Sequence, residues 1–247
     1  MAPTVDGVNL PRHPFEPSAP ALSNSVPMLI GTTATETSIF PDFLGGDPFG
    51  IGFDELQSRF ARLLPPGLPH SPAAIVERAR QALPDASPTD LLFLVTTELL
   101  FRARSITQAE CAAKRPAPVY MWLLDWVTPA DGGKWGSPHG LSVPLVMDTV
   151  PSVPSMFGNQ VEGALTLSRT MSGMWAAFAR TGVPSIPGLP EWPSYDETRR
   201  ETRCSTRIHM WPPIRRRPYA PCSSRDRRPN LGHPPCIPTM PTTPSWR

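Results

Sequence analysis

No stretch of this 247-residue sequence approaches the ~18 consecutive apolar residues that a membrane-spanning helix requires. The opening residues, MAPTVDGVNLPRHPF, lack both the basic start and the apolar centre of a secretion signal, so no leader is expected in this chain. Cysteine is scarce. Of the four, Cys204, Cys222 and Cys236 lie near the C-terminus and Cys111 stands alone in the body, which excludes a disulfide framework for the fold. Net charge of one sign is also nearly absent, at +2, and on its face that argues against a nucleic-acid binder. The figure averages two unlike regions. Residues 204–247 hold eight Arg, no Lys and one acid (Asp226), a net +7, which leaves residues 1–203 at −5.

Proline is abundant: 35 residues, roughly three times the usual share of about 5%. With 40% hydrophobic and 18% charged residues, the chain has enough apolar material for a packed core. Residues 1–25 are Pro-rich and aperiodic and read as extended coil. Val26–Ile30 (VPMLI), closed by Gly31, and Val119–Leu124 (VYMWLL) are continuous apolar runs, the pattern of strands buried on both faces.

Between them lie three helix signals. Leu56, Phe60 and Leu63 recur at helical spacing, and Ser71-Pro72 and Ser87-Pro88 each pair an N-cap with proline at the first helical position. The longest amphipathic pattern spans 162–180, with Leu167, Met171, Met174, Trp175 and Phe178 on one face and Gly182 and Pro184 as stops. Strand, helices, strand and helix alternate, an α/β arrangement, with no internal repeat. Two strands are too few for an independent sheet of this kind, so the chain reads as part of a domain.

Two residues stand where open α/β sheets place their chemistry, on loops leaving the carboxyl ends of strands. Glu36 follows Ile30 by six residues among Thr32, Thr33, Thr35, Thr37 and Ser38, hydroxyls able to hydrogen-bond a carboxylate. His139 sits between Pro138 and Gly140 after the second strand. A solvated loop acid and a turn histidine are the plain alternatives. Together a carboxylate and a histidine make two members of an acyl-transfer triad: the acid fixes the tautomer, and the imidazole carries the proton. The third member is missing, since G-x-S-x-G, the strand-to-helix turn that presents a nucleophilic serine, occurs nowhere in the sequence.

Three ordered segments carry a more specific resemblance. PTVDGVNLPRHPFEPSAPALSNSVPMLIGTTATETSIF is similar to the region of the triad acid in type B carboxylesterases of the carboxylesterase/lipase family. KWGSPHGLSVPLVMDTV resembles that family's histidine loop, and LSRTMSGMWAAFARTGVPSIPGLPEWPSYDETRRET its C-terminal helix and W-P-x-Y run. The resemblance implies the C-terminal part of an α/β-hydrolase, an incomplete central sheet with flanking helices. It puts Glu36 at the triad acid and His139 at the triad histidine, with the nucleophile and oxyanion segments upstream of residue 1. Where that family usually has Glu three residues after the histidine, this chain has Ser142. The implied partner is a small-molecule carboxylic ester, with no cofactor, no metal, no nucleic acid and no membrane span; oligomeric state and compartment stay open.

The resemblance divides the chain into a hydrolase portion, 1–203, and an Arg/Pro-rich tail, 204–247, expected to be disordered. As a zinc site, Cys204, His209, Cys222, His233 and Cys236 fit no standard ligand spacing. As a basic arm the tail would serve an anionic partner, which is the alternative function: a binding module without catalysis. The favoured expectation is a reading-frame shift. The code permits it: with one choice of third bases, the sequence from Arg203 read two bases later gives Met-Leu-Asp-Thr-Asp-Thr-His-Val-Ala-Ala-Asp-Pro-Pro-Ala-Pro-Val-Arg-Ala-Val-Leu, which resembles the family's ending.

Overall fold

A computed structural model describes residues 4–65, 67–158 and 161–205. Strands β1 (Met28–Thr33), β2 (Val119–Leu124) and β3 (Thr202–Cys204) form a parallel sheet in the order β1-β2-β3. Met28 pairs with Val119 and Thr33 with Leu124; on the other side Met121 pairs with Thr202 and Leu123 with Cys204. β1 runs two to three residues later than the VPMLI reading. The apolar run ends at Ile30, but ladder pairing carries the strand on through Gly31, Thr32 and Thr33. Central β2 is buried almost throughout, as its continuous apolar sequence requires. Met28 to Gly31 of β1 are only half-buried, because β1 pairs on one side alone among the described residues.

Between β1 and β2 the chain builds α1 (Phe53–Leu63), α2 (Pro72–Ala82), α3 (Pro88–Thr97), a π-helical turn (Glu98–Arg102) and α4 (Ala103–Ala113). Both serine caps form. Ser71 Oγ accepts from Ala74 N–H, and Ser87 exchanges hydrogen bonds with Asp90 in a complete capping box. Leu56, Phe60, Ile75, Ala79, Leu91 and Phe93 close the first three of these helices into a core of their own.

After β2 come α5 (Ser142–Val146), α6 (Pro154–Phe157) and α7 (Val161–Thr181). Alternation along β2 supplies both faces of the sheet. Tyr120 and Leu124 join Leu145, Phe157, Leu167, Met171 and Met174 beneath α7, while Val119 and Met121 pack on Ala109 and Ala112 of α4. Trp175 and Phe178, on the same predicted face of α7, pack at the margin of that core. Gly31 is required by a close approach: a Cβ there would lie 2.2 Å from the Trp122 carbonyl oxygen.

The third strand was not read from sequence, and it crosses the 203/204 boundary. Cys204 is buried, and Ser205 Oγ accepts from the backbone N–H groups of Asp125 (3.0 Å) and Trp126 (3.1 Å) while donating to Asp125 Oδ1 (2.7 Å). The tail from 206 on, including four of the five Cys and His residues weighed as zinc ligands, lies outside the described residues.

Candidate active site

β1 ends at Thr33, and the chain turns at once into a 3-10 turn, Glu36–Ile39. That sharp reversal folds Glu36 back over its own strand, so Oε1 accepts the Thr33 N–H at 2.6 Å. Its other oxygen, Oε2, lies 2.6 Å from His139 Nδ1. The acid is 6% exposed, whereas the imidazole side chain is 52% exposed. A carboxylate only accepts, so the shared proton sits on Nδ1. In the neutral form of the ring that leaves Nε2 as the basic nitrogen.

The hydroxyls around Glu36 do not serve the carboxylate, contrary to the expectation from sequence. Thr35 Oγ1 donates to the Trp135 carbonyl (2.8 Å) and accepts from Ser137 N–H (2.7 Å); Ser38 Oγ donates to the same carbonyl (2.8 Å). Thr35 N–H bonds to the Ser137 carbonyl at 3.1 Å, and Thr35 forms an isolated parallel bridge with Pro138. These bonds lace the acid's turn to the histidine's loop. Thr37 reaches the other way, its hydroxyl 2.7 Å from Thr96 Oγ1 at the end of α3. The Thr32 and Thr33 hydroxyls are buried with no partner among the described residues.

The histidine loop is irregular. Gly136 takes φ +67°, and its carbonyl accepts from Thr128 N–H at 2.9 Å; a Cβ at this position would stand 2.7 Å from Thr35 Oγ1. Ser137 Oγ donates to the Trp126 carbonyl. Ser142 opens α5 just beyond the loop. Two aromatic rings flank the imidazole. Phe40 lies at 5.5 Å between centroids, tilted 51°, and Phe101 at 5.7 Å, tilted 48°. Neither ring was singled out from sequence. Phe40 follows Glu36 by four residues, which was a usable signal; Phe101 lies within what reads as one uninterrupted helix.

A short parallel sheet sandwiched by helices, with an acid and a histidine on successive strand ends, belongs to the α/β-hydrolase class. Comparison with known proteins agrees. A PNB esterase structure superposes with a TM-score of 0.60 at 27% identity, covering 82% of this chain and 39% of its own. A Geobacillus stearothermophilus carboxylesterase gives a TM-score of 0.63 at 30% identity, covering 82% of this chain and 42% of that one. The profile of the carboxylesterase family matches residues 1–210, and the chain belongs to that family.

Among its relatives, the para-nitrobenzyl esterase of Bacillus subtilis is 28% identical over 201 residues. Carboxylesterase 1C of Rattus norvegicus is 28% identical over 207. The chain spans 38% and 37% of their respective lengths. No helix among the described residues is long and apolar enough to cross a membrane.

Proposed function

We propose that residues 1–203 are the C-terminal portion of a carboxylic ester hydrolase and contribute its acid and its histidine, Glu36 and His139, to a serine-based acyl-enzyme mechanism. The observation that carries this reading is the 2.6 Å contact between Glu36 Oε2 and His139 Nδ1, made across 103 residues of sequence by an imidazole whose side chain stays 52% exposed.

In that mechanism Nε2 takes the proton from a serine hydroxyl as its oxygen attacks the ester carbonyl, and Glu36 stabilises the imidazolium that results. The proton then passes to the departing alkoxide, leaving an acyl-enzyme, and water repeats the two steps to release the acid. The serine and the oxyanion donors belong to a portion these 247 residues do not contain. Without them nothing forms or stabilises the tetrahedral intermediate, so the chain alone is expected to hydrolyse esters no faster than free imidazole.

The test is a chimera. The nucleophile-bearing portion of the Bacillus subtilis para-nitrobenzyl esterase is fused ahead of residue 1, and hydrolysis of p-nitrophenyl acetate is followed. Activity is expected in the fusion, absent from the 247-residue chain, and reduced about 10³- to 10⁴-fold by Glu36→Gln or His139→Ala. An active fusion indifferent to both substitutions would sink the assignment.

A further inference from the structure

The geometry points to Phe101 as a positioning residue for His139, delivered to the imidazole by the π-helical turn Glu98–Arg102. The inference rests on the assignment of Glu36 and His139 made above and adds a residue to that site.

Among the described residues one hydrogen bond, at Nδ1, holds an imidazole that is half exposed. A single bond fixes the position of one atom, yet the ring still turns about its own side-chain torsions, and orientation is what a proton carrier has to keep. Packing supplies the remaining constraint. Phe40 comes from the acid's own turn, and Phe101 from the helical segment between the strands; both lie within 5.7 Å of the imidazole centroid at similar tilts. Phe101 belongs to none of the three apolar cores, so no core explains where its ring is placed.

The backbone explains it. α3 is anchored at its C-terminal end, where Thr96 and Thr97 meet the hydroxyl and N–H of Thr37, one residue after Glu36. α4 is anchored against the sheet by fully buried Ala109 and Ala112. Between these two anchors the helix widens at Glu98–Arg102, where an i→i+5 turn absorbs an extra residue and carries Phe101 within it. Arg102 Nε, 3.3 Å from Glu98 Oε1, ties the widened turn across its own length.

The experiment uses the 247-residue chain with ¹⁵N,¹³C-histidine, the His139 signals being identified by their loss in His139→Asn. In the unsubstituted protein the neutral ring is expected to carry its proton on Nδ1, held in the Glu36 contact and slow to exchange. Phe101→Ala is expected to give a mixture of tautomers and about tenfold faster Nδ1–H exchange, reflecting opening of the Glu36 contact. Phe101→Tyr is expected to restore both readouts. Should the alanine variant not fold, Phe101→Leu, which keeps bulk without an aromatic face, is expected to change the tautomer ratio in the same direction.

If alanine and leucine both leave tautomer and exchange as they were, Phe101 does not position His139, while the Glu36 assignment stands. If the unsubstituted chain itself carries its proton on Nε2 and Glu36→Gln alters nothing, the Glu36–His139 assignment fails and the role of Phe101 falls with it.

Discussion

The two loops that meet at the candidate site are built in opposite ways. The loop after β1 reaches Glu36 three residues past the strand, in one tight turn, and buries the acid under a hydrogen bond from the strand's own last N–H. The loop after β2 needs fifteen residues to reach His139. It passes through left-handed backbone at Asp131, Gly132, Gly133 and Gly136, and leaves the imidazole half exposed. The acid is thus placed by local chain geometry, and the histidine is placed by being tied to the acid's turn. Contacts through Thr35 and Ser38, made 97 to 102 residues away along the chain, do that tying. One loop is a foundation and the other depends on it.

The strongest way to break this relation is Gly136→Ala. The substitution forces an L side chain into a left-handed backbone, costing about 1–2 kcal/mol. It also sets a methyl 2.7 Å from Thr35 Oγ1 and 3.0 Å from Thr35 Cγ2, an overpacking cost of about 1–3 kcal/mol. A loss of roughly 3 kcal/mol in urea unfolding is expected from these two effects. His139 should detach from Glu36 while the Glu36 turn itself survives. An unchanged unfolding midpoint would mean that the histidine loop is not held by this packing.

Thr35→Val acts on the same junction more gently. It keeps the shape and removes the hydroxyl, leaving Ser137 N–H without its acceptor and the Trp135 carbonyl with only Ser38. Burying an unpaired N–H costs about 1–3 kcal/mol, so a loss near 2 kcal/mol is expected. Thr33→Val sharpens the contrast. Its hydroxyl is equally buried but has no partner among the described residues, so the valine is expected to be neutral or stabilising by up to about 1 kcal/mol. Equal losses in the two variants would show that burial of the residue, rather than the hydrogen bonds of Thr35, accounts for the effect.

The local/non-local division also explains what could be read from sequence. The apolar runs VPMLI and VYMWLL marked both long strands, and the Ser-Pro pairs marked two helix starts, because these are signals a chain carries within a few residues. Glu36 and His139 were visible as polar residues at strand exits, but their 2.6 Å contact was not, being a product of tertiary structure. β3 is illegible for the same reason. A three-residue strand, TRC, has no periodicity of its own and exists through its pairing with β2. The π-turn is illegible as well, since ELLFR continues the apolar pattern of α3 without a break and carries no local signal of a wider turn.

Tyr195 extends the comparison of paired and unpaired hydroxyls to one that titrates. Its N–H donates to the Val119 carbonyl at 2.7 Å and its ring packs with Met121, Ala109 and Ala112, but its hydroxyl is buried with no partner among the described residues. Burial, by penalising the phenolate, pushes its pKa up from 10.0 to about 12. The folded pKa lies above the unfolded one, so the contribution to stability is complete below about pH 10 and is lost as pH rises through about 12, where the unfolded chain has already ionised. A difference of about two pH units corresponds to roughly 2–3 kcal/mol across that window.

Tyr195→Phe removes both the stranded hydroxyl and the titration. At pH 7 it is expected to change stability by less than about 1 kcal/mol, in the stabilising direction. Between pH 10 and pH 12 the variant should hold its urea midpoint where the parent's falls. Parallel decline of both midpoints would show that some other group sets the alkaline limit. A large loss at pH 7 would show that the hydroxyl is hydrogen-bonded after all, and that the contrast drawn from Thr33 does not extend to Tyr195.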